Sequence, residues 1–385
     1  MCFINPNEQH RTMVYELAKQ LVRRRGHDIV ILQPSRFCRP VGKNATLDGI
    51  RVTFFPCFYL PSTNYTLPFF RRELDSIRKI LSKERCQIIQ SCEYSYLTSL
   101  PPILVRKLCR VPTILTTGEL PGYSWFYGET VVDLVAKAYT YGMGRWIFGS
   151  YDQIVLLYKQ LSAEVASLGV PRERINTIPN GIDLEEFRPS SGACQLRSEL
   201  GIGDNERVLL FVGRLARVKR VETVIMLTKS LLEDGFKVKT VIVGDGPMRH
   251  YCRVLSEPVK DNIIFTGQVP HAQLRDYYAL SDVLVLPSYS EGLPTVLLEA
   301  SAAGKPSIAT NVNGISDIVV HGETGFLVGR DESIRTYCHW AKAVFSDEGM
   351  AKRMGKNALE HVRNHFSWDE IVSRYEELYE QILDC

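Results

Sequence analysis

SDVLVLPSYSEGLPTVLLEASAAGKPSIAT, residues 281–310, is the stretch that decides the architecture. Its apolar run 283–287 reads as a buried strand, a Gly-Leu-Pro turn follows, 294–303 reads as a helix, and 307–310 as the next strand. Strand, turn, helix and strand within about 30 residues make a βαβ unit, which commits the chain to a parallel sheet covered by helices. Ligands of such sheets sit beyond the carboxyl ends of the strands, so the turn after Pro287 is where chemistry should be sought.

The same alternation extends outward in both directions. Upstream, 207–212 and 237–243 read as strands around a helix at 221–233, then strand 262–266 and helix 273–280. Downstream come a helix at 333–344 and a final amphipathic helix at 368–383, apolar at Ile371, Tyr375, Leu378 and Ile382. The first half repeats the theme. A strand at 2–5 leads into a helix from about Thr12, with Val14, Leu17, Ala18, Leu21 and Val22 on one face. Arg23, Arg24 and Arg25 fill its last turn, Gly26 stops it, and 28–32 is the next strand. Further strands are expected at 51–55, 88–90, 113–116, 153–157 and 175–178. Residues 54–70, FFPCFYLPSTNYTLPFF, show neither period and read as an aromatic loop, either folded onto the core or touching an acceptor or membrane interface. The polar stretch 190–194 reads as a linker.

The fold class is therefore α/β, two Rossmann-like doubly wound domains facing a cleft. The expected boundaries are an acceptor-side domain at 1–188, a donor-binding domain at 189–366, and a helix at 367–385 returning to the first domain.

Composition excludes several classes. The 10 cysteines form no C-x-x-C pair and no Cys/His cluster, so neither a zinc site nor a disulfide framework is indicated. No apolar run reaches the roughly 18 residues of a membrane span. The sequons at Asn44 and Asn64 read as chance matches, and a cytoplasmic location is expected. Residues 1–190 carry 24 Lys+Arg against 17 Asp+Glu, whereas the remainder carries 22 against 26. A basic first half invites an anionic partner, such as a phosphorylated acceptor or the cytoplasmic face of a membrane, although a solvated surface explains it equally. No nucleic-acid motif accompanies the charge, and no nucleic acid is expected as partner.

Three constellations follow strands in the second half. Gly213, Arg214 and Lys219 lie between strand 207–212 and a helix, where two cations beside a helix N-terminus suit a diphosphate. Glu291 precedes the Gly292-Leu293-Pro294 turn and Glu299 lies inside the next helix, whose start at Thr295 and Val296 offers free N–H groups. The carboxylates could accept hydrogen bonds from sugar and ribose hydroxyls. The third, Gly244-Asp-Gly-Pro247, is a tight turn that carries little by itself.

With GHDIVIL (26–32), GVPRERINTIPNGID (169–183), VGRLARVK (212–219), VGDGP (243–247), NGISDIV (313–319), GETGFLV (322–328) and the opening stretch in this order, the chain resembles the retaining GT-B-fold glycosyltransferases of the family-4 type. That resemblance covers nearly the whole chain. It implies transfer of a sugar from a nucleotide-diphosphate donor such as a UDP- or GDP-sugar, with retention of configuration and without metal or cofactor. It assigns Arg214 and Lys219 to the leaving diphosphate, Glu291 to the transferred sugar and Glu299 to the ribose. Gly213, Gly292, Leu293, Pro294, Thr295 and Val296 would approach sugar and phosphates, and Val269 would line the nucleobase pocket. The acceptor, a glycan, lipid or small molecule, is left open.

Two departures concern the first half. Relatives usually carry a glycine pair after the first strand, where this chain has Asn5-Pro-Asn-Glu-Gln-His10. Many also carry a histidine near the reacting sugar, where this chain has Thr117-Gly118-Glu119. Glu119 and His10 are the candidates for that polar contact. A non-catalytic nucleotide-sugar-binding subunit and a nucleotide-sugar epimerase of related fold are the alternative functions.

Overall fold

The computed structural model describes residues 1–4, 13–35, 45–47, 49–60, 65–124, 130–188 and 192–384. The chain divides into two compact units, Met1–Gly181 with Trp368–Cys385, and Ile182–Ser367.

The first unit is built on a sheet of nine strands among the described residues. These are β1 (Cys2–Ile4), β2 (Val30–Ser35), β3 (Ala45–Leu47), β4 (Ile50–Leu60), β5 (Tyr65–Pro68), β6 (Ile89–Cys92), β7 (Thr113–Thr117), β8 (Gln153–Leu156) and β9 (Ile175–Thr177). Their order is β3-β4-β2-β1-β6-β7-β8-β9, with β5 on β4. All pairs are parallel except β3 and β5, which run antiparallel to β4.

Side chains alternate across this sheet with the strand period of two. Phe3 and Ile31 enter one core with helices Met13–Arg25 and Trp368–Leu383; Cys2, Val30 and Leu32 enter the other with helix Phe70–Glu84. Both faces being covered explains why these strands read as continuous apolar runs. The final helix buries Ile371, Tyr375, Leu378 and Tyr379, and the Tyr379 hydroxyl donates to Gln90 Oε1 on β6 at 2.6 Å. Arg25 adds a 2.6 Å ion pair to Glu376.

Residues 54–70 correct the loop expectation. Most form the end of β4 and all of β5, an antiparallel hairpin in which Cys57 faces Pro68 and Leu60 faces Tyr65. The prolines that hide the alternation are tolerated because this is the rim of the sheet. Phe54 and Phe55 are buried, while Phe58, Phe69 and Phe70 are exposed. Of the expected linker, 190 and 191 lie outside the described residues, and Cys194 stands in a helix, Gly192–Glu199.

The second unit has a parallel sheet of β10 (Arg207–Val212), β11 (Val238–Val243), β12 (Ile263–Gly267), β13 (Val283–Leu286), β14 (Ser307–Thr310) and β15 (Gly325–Val328). Its order is β12-β11-β10-β13-β14-β15. Strand order therefore reverses between β10 and β13, and doubly wound sheets bind ligands at such a switch point. The loops leaving β10 and β13 carry the Arg214/Lys219 and Glu291 motifs. A further helix, Glu348–Phe366, is capped by Asp347, whose carboxylate accepts the Met350 N–H at 2.8 Å.

Candidate active site

After β10 the chain turns at Gly213, and the next residues are clasped by the loop after β11. The Gly213 N–H donates to Val243 O at 3.0 Å, Leu215 N–H to Asp245 O at 3.0 Å, and Met248 N–H to Leu215 O at 2.9 Å. A β-carbon on Gly244, whose φ is +129°, would lie 2.0 Å from Gly213 O. Close backbone approach is thus the work of this glycine. The Asp245 carboxylate is taken by the Gly246 N–H at 2.7 Å and Arg249 at 2.6 Å. The 244–247 turn is a support for the Arg214 loop.

Arg214 projects from that loop, exposed, and its guanidinium has no ion-pair partner among the described residues. Three residues on begins a short turn, Arg217–Lys219, that ends at Arg220, which takes a left-handed conformation and starts helix Val221–Glu233. This places Lys219 against the loop after β13. Its ammonium lies 2.6 Å from Glu291 Oε1 and 2.8 Å from Oε2. The Ser288 hydroxyl donates to Oε1 at 2.6 Å. Glu291 is buried, so its charge is stabilised by a cation and a short hydrogen bond where water is scarce.

The backbone of this loop is held from two sides. Tyr289 N–H donates to Val218 O at 2.7 Å, Gly314 N–H donates to Gly292 O at 3.2 Å, and the Asn313 amide donates to Glu291 O. Asn313 itself adopts a left-handed conformation, one that asparagine tolerates better than most residues. Leu293 and Pro294 are buried behind the turn, and helix Thr295–Ala302 begins with an exposed Thr295 and a half-buried Val296. No side chain caps this helix start. Its first N–H groups are therefore donors looking for an acceptor.

Glu299, one turn further, belongs to a separate network. The buried Tyr278 hydroxyl donates to Oε2 at 2.6 Å, and His271 Nε2 lies 3.7 Å from Oε1. The other ring nitrogen of His271 lies 2.9 Å from Glu186 Oε1. Phe187 sets its ring edge-on to both His271 and Tyr278, at 5.5 and 5.8 Å. Glu299, and then Glu186, favour the imidazolium and raise the His271 pKa above its ordinary 6.5. Each Glu299 oxygen keeps a lone pair for a further donor, as a ribose diol requires. Val269, two residues before His271, is half-buried. Sequence reasoning stopped at Val269 and missed His271, Glu186 and Tyr278. A histidine following a strand and a Gly-Gln-Val-Pro turn was the available signal.

In the first unit, Glu119 is half-buried after β7, with its backbone oxygen 3.1 Å from the Thr117 hydroxyl oxygen. His10 lies outside the described residues. A further carboxylate went unread. Glu93 follows β6 in a left-handed conformation, with φ 60°, and accepts the Thr117 hydroxyl at 2.7 Å and the Gly118 N–H at 3.3 Å. Burial raises its pKa, against the lowering effect of those two hydrogen bonds. It stands at the carboxyl edge of the sheet, beside the position where the first half departs from its relatives.

Residues 195–361 match the family model of the glycosyl transferases group 1, and residues 11–186 match glycosyltransferase family 4. A D-inositol 3-phosphate glycosyltransferase of Corynebacterium efficiens is 32% identical over 72% of this chain and 68% of its own. The N-acetyl-alpha-D-glucosaminyl L-malate synthase of Bacillus anthracis is 32% identical over 60% of this chain, and the match spans only 60% of that relative's length. Among solved structures, sucrose-phosphate synthase of Thermosynechococcus elongatus superposes with a TM-score of 0.80 at 21% identity, over 100% of this chain and 98% of the other. The Anabaena protein HepE, in complex with UDP, gives 0.76 at 16% identity over 99% of each. These two structures share the fold.

Proposed function

The chain belongs to the group 1 glycosyl transferases of family-4 type, with the GT-B fold, and from that premise we propose that it transfers a sugar from a nucleotide-diphosphate donor with retention of configuration. The observation that carries this reading is the convergence of Lys219, Glu291 and an uncapped helix start at the switch point, with Arg214 exposed on the same loop as Lys219. Arg214 and Lys219 bind the diphosphate and stabilise the charge that develops as the bond from C1 to the phosphate oxygen breaks. Lys219 holds both oxygens of one carboxylate, which leaves an ammonium proton for a phosphate. The acceptor hydroxyl attacks the face that the phosphate leaves, and its proton passes to the departing phosphate oxygen. Glu291 positions the sugar hydroxyls, and Glu299 the ribose.

Two cations and a helix N-terminus supply countercharge, so the reaction as proposed needs no metal. A UDP-sugar is the first donor to try, given the nucleotide bound by HepE; a GDP-sugar is the second. The acceptor is proposed to be a hydroxyl presented near a membrane surface, in keeping with the basic first half. No described helix is long and apolar enough to cross a membrane.

The test is a thermal-shift and hydrolysis screen against UDP-, GDP- and ADP-sugars. Stabilisation by one nucleotide class with slow release of its diphosphate supports the proposal. Stabilisation without release, even with membrane extract as acceptor source, would make the chain a binding subunit. Product anomer, read from the proton coupling at C1, tests retention.

A further inference from the structure

Helix Thr130–Tyr139 runs through a π-helical turn, Thr140–Gly144, into helix Arg145–Ser150, with right-handed helical torsions at both junctions. The far end is anchored, because Ile147 and Phe148 are buried and the Thr140 hydroxyl donates to Pro121 O at 2.9 Å. The near end rests on the backbone at Gly122, where a β-carbon would lie 2.4 Å from Lys137 N, but leaves its other face open. Val131, Leu134 and Val135 are 74%, 67% and 64% exposed, at the i, i+3, i+4 spacing of one helical face. Tyr141 and Trp146 continue the exposure along the same helix. An apolar stripe of this length in water is the mark of an interaction surface.

Cations accompany it. Helix Leu100–Cys109, which packs against Arg145–Ser150, exposes Leu104 and Leu108 beside Lys107, and Arg110 follows at its end. Lys107 and Arg110 line a cavity of about 870 Å³ whose acid, Asp152, is already taken by Arg106 and the Thr113 hydroxyl and N–H. Lys137 and Arg145 lie on the long helix itself, where Asp133 is the only acid between 130 and 150. Apolar side chains with a tryptophan, interspersed with Lys and Arg, suit the boundary between headgroups and acyl chains. A second copy of this chain suits it less, since like cations would be brought together.

We propose that the exposed face of helix Thr130–Tyr139, with Trp146 and the neighbouring Leu104 and Leu108, inserts into an anionic bilayer surface while Lys107, Arg110 and Lys137 contact its headgroups. This names the surface for the membrane-proximal acceptor reading and rests on it only for its biological purpose. Vesicle binding and donor hydrolysis are separate measurements, so either can fail alone.

The test is co-sedimentation of the full chain with vesicles of equimolar phosphatidylcholine and phosphatidylglycerol, compared with phosphatidylcholine alone. Binding is expected to the anionic vesicles, to weaken with added salt, and to fall at least about tenfold in Val131→Ser/Leu134→Ser/Val135→Ser. Should that variant fail to fold, acyl-chain-brominated lipids in the same vesicles should quench wild-type tryptophan fluorescence, and Trp146→Phe should lose much of the quenching. No sedimentation of the wild type, equal sedimentation of a folded triple variant, or quenching undiminished in Trp146→Phe would overturn the proposal. A concentration-dependent dimer that the triple variant abolishes would assign the face to a second copy.

Discussion

Lys219 grips Glu291 by both carboxylate oxygens, at 2.6 and 2.8 Å, across 72 residues of sequence. The contact joins the loops after β10 and β13 at the point where strand order reverses. Under the proposed function, one ion pair would have two duties, holding the site together and supplying its charge.

These duties can be separated. Lys219→Ala strands a buried carboxylate, which costs about 3–5 kcal/mol where one partner of a buried pair is removed. It should also slow transfer roughly 10²–10³-fold, as loss of a charge-stabilising donor does. The double change Lys219→Met/Glu291→Gln removes both charges and should regain most of the stability but none of the rate. Melting temperature and turnover, measured on the single and double variants, distinguish the two duties; a double variant with restored rate would remove the pair from catalysis.

Arg214 offers the complementary case. Its side chain is exposed and without an ion-pair partner among the described residues, so Arg214→Ala should leave the stability within about 0.5 kcal/mol of wild type. The rate should still fall roughly 10²–10³-fold. A wild-type rate in Arg214→Ala would withdraw this residue from the diphosphate.

The Glu186–His271–Glu299 network predicts a pH dependence. The folded state raises the His271 pKa above 6.5, so it holds the proton more tightly than the unfolded chain. That stabilisation is complete below about pH 6.5 and is lost as pH rises through the raised folded value. Melting temperature in the absence of donor should therefore drop over that window, and His271→Ala should flatten the drop. Glu299→Ala should weaken nucleotide binding, measured by calorimetry; unchanged affinity would take Glu299 out of the ribose site.

What the sequence disclosed follows from how the signals arise. Buried parallel strands such as β10 and β13 must be apolar throughout, and the turns after them must carry glycine, proline and charge, so 207–219 and 281–310 are plain in one dimension. The hairpin of β4 and β5 is not, because Pro56 and Pro68 interrupt its alternation at a sheet rim that tolerates them. The helix Glu348–Phe366 went unread because Met354, Ala358, Val362 and Phe366 make a single narrow apolar line on a polar cylinder. Partnerships were the least legible. Nothing local to His271 announces Glu186 and Glu299, and only folding brings Glu93 to Thr117.

Glu73 supplies the last prediction, in the first unit and away from the chemistry. It lies in the first turn of helix Phe70–Glu84, fully buried, and neither carboxylate oxygen has a hydrogen-bond partner among the described residues. Burial raises its pKa well above the usual carboxylate range, so the folded state favours the neutral acid. The sign follows directly: the folded chain binds this proton more tightly than the unfolded chain, and stability falls as pH climbs from about 4.5 through the raised value. Near neutral pH the residue is therefore a cost. Replacing it with leucine, of comparable volume, removes the unsatisfied group and should stabilise the unit by about 1–3 kcal/mol. With about 2–4 °C per kcal/mol for a unit of this size, a thermal melt resolves the gain. Glu73→Leu should also remove the corresponding fall in stability toward alkaline pH. A lower melting temperature in that variant would mean that the carboxyl is partnered in solution.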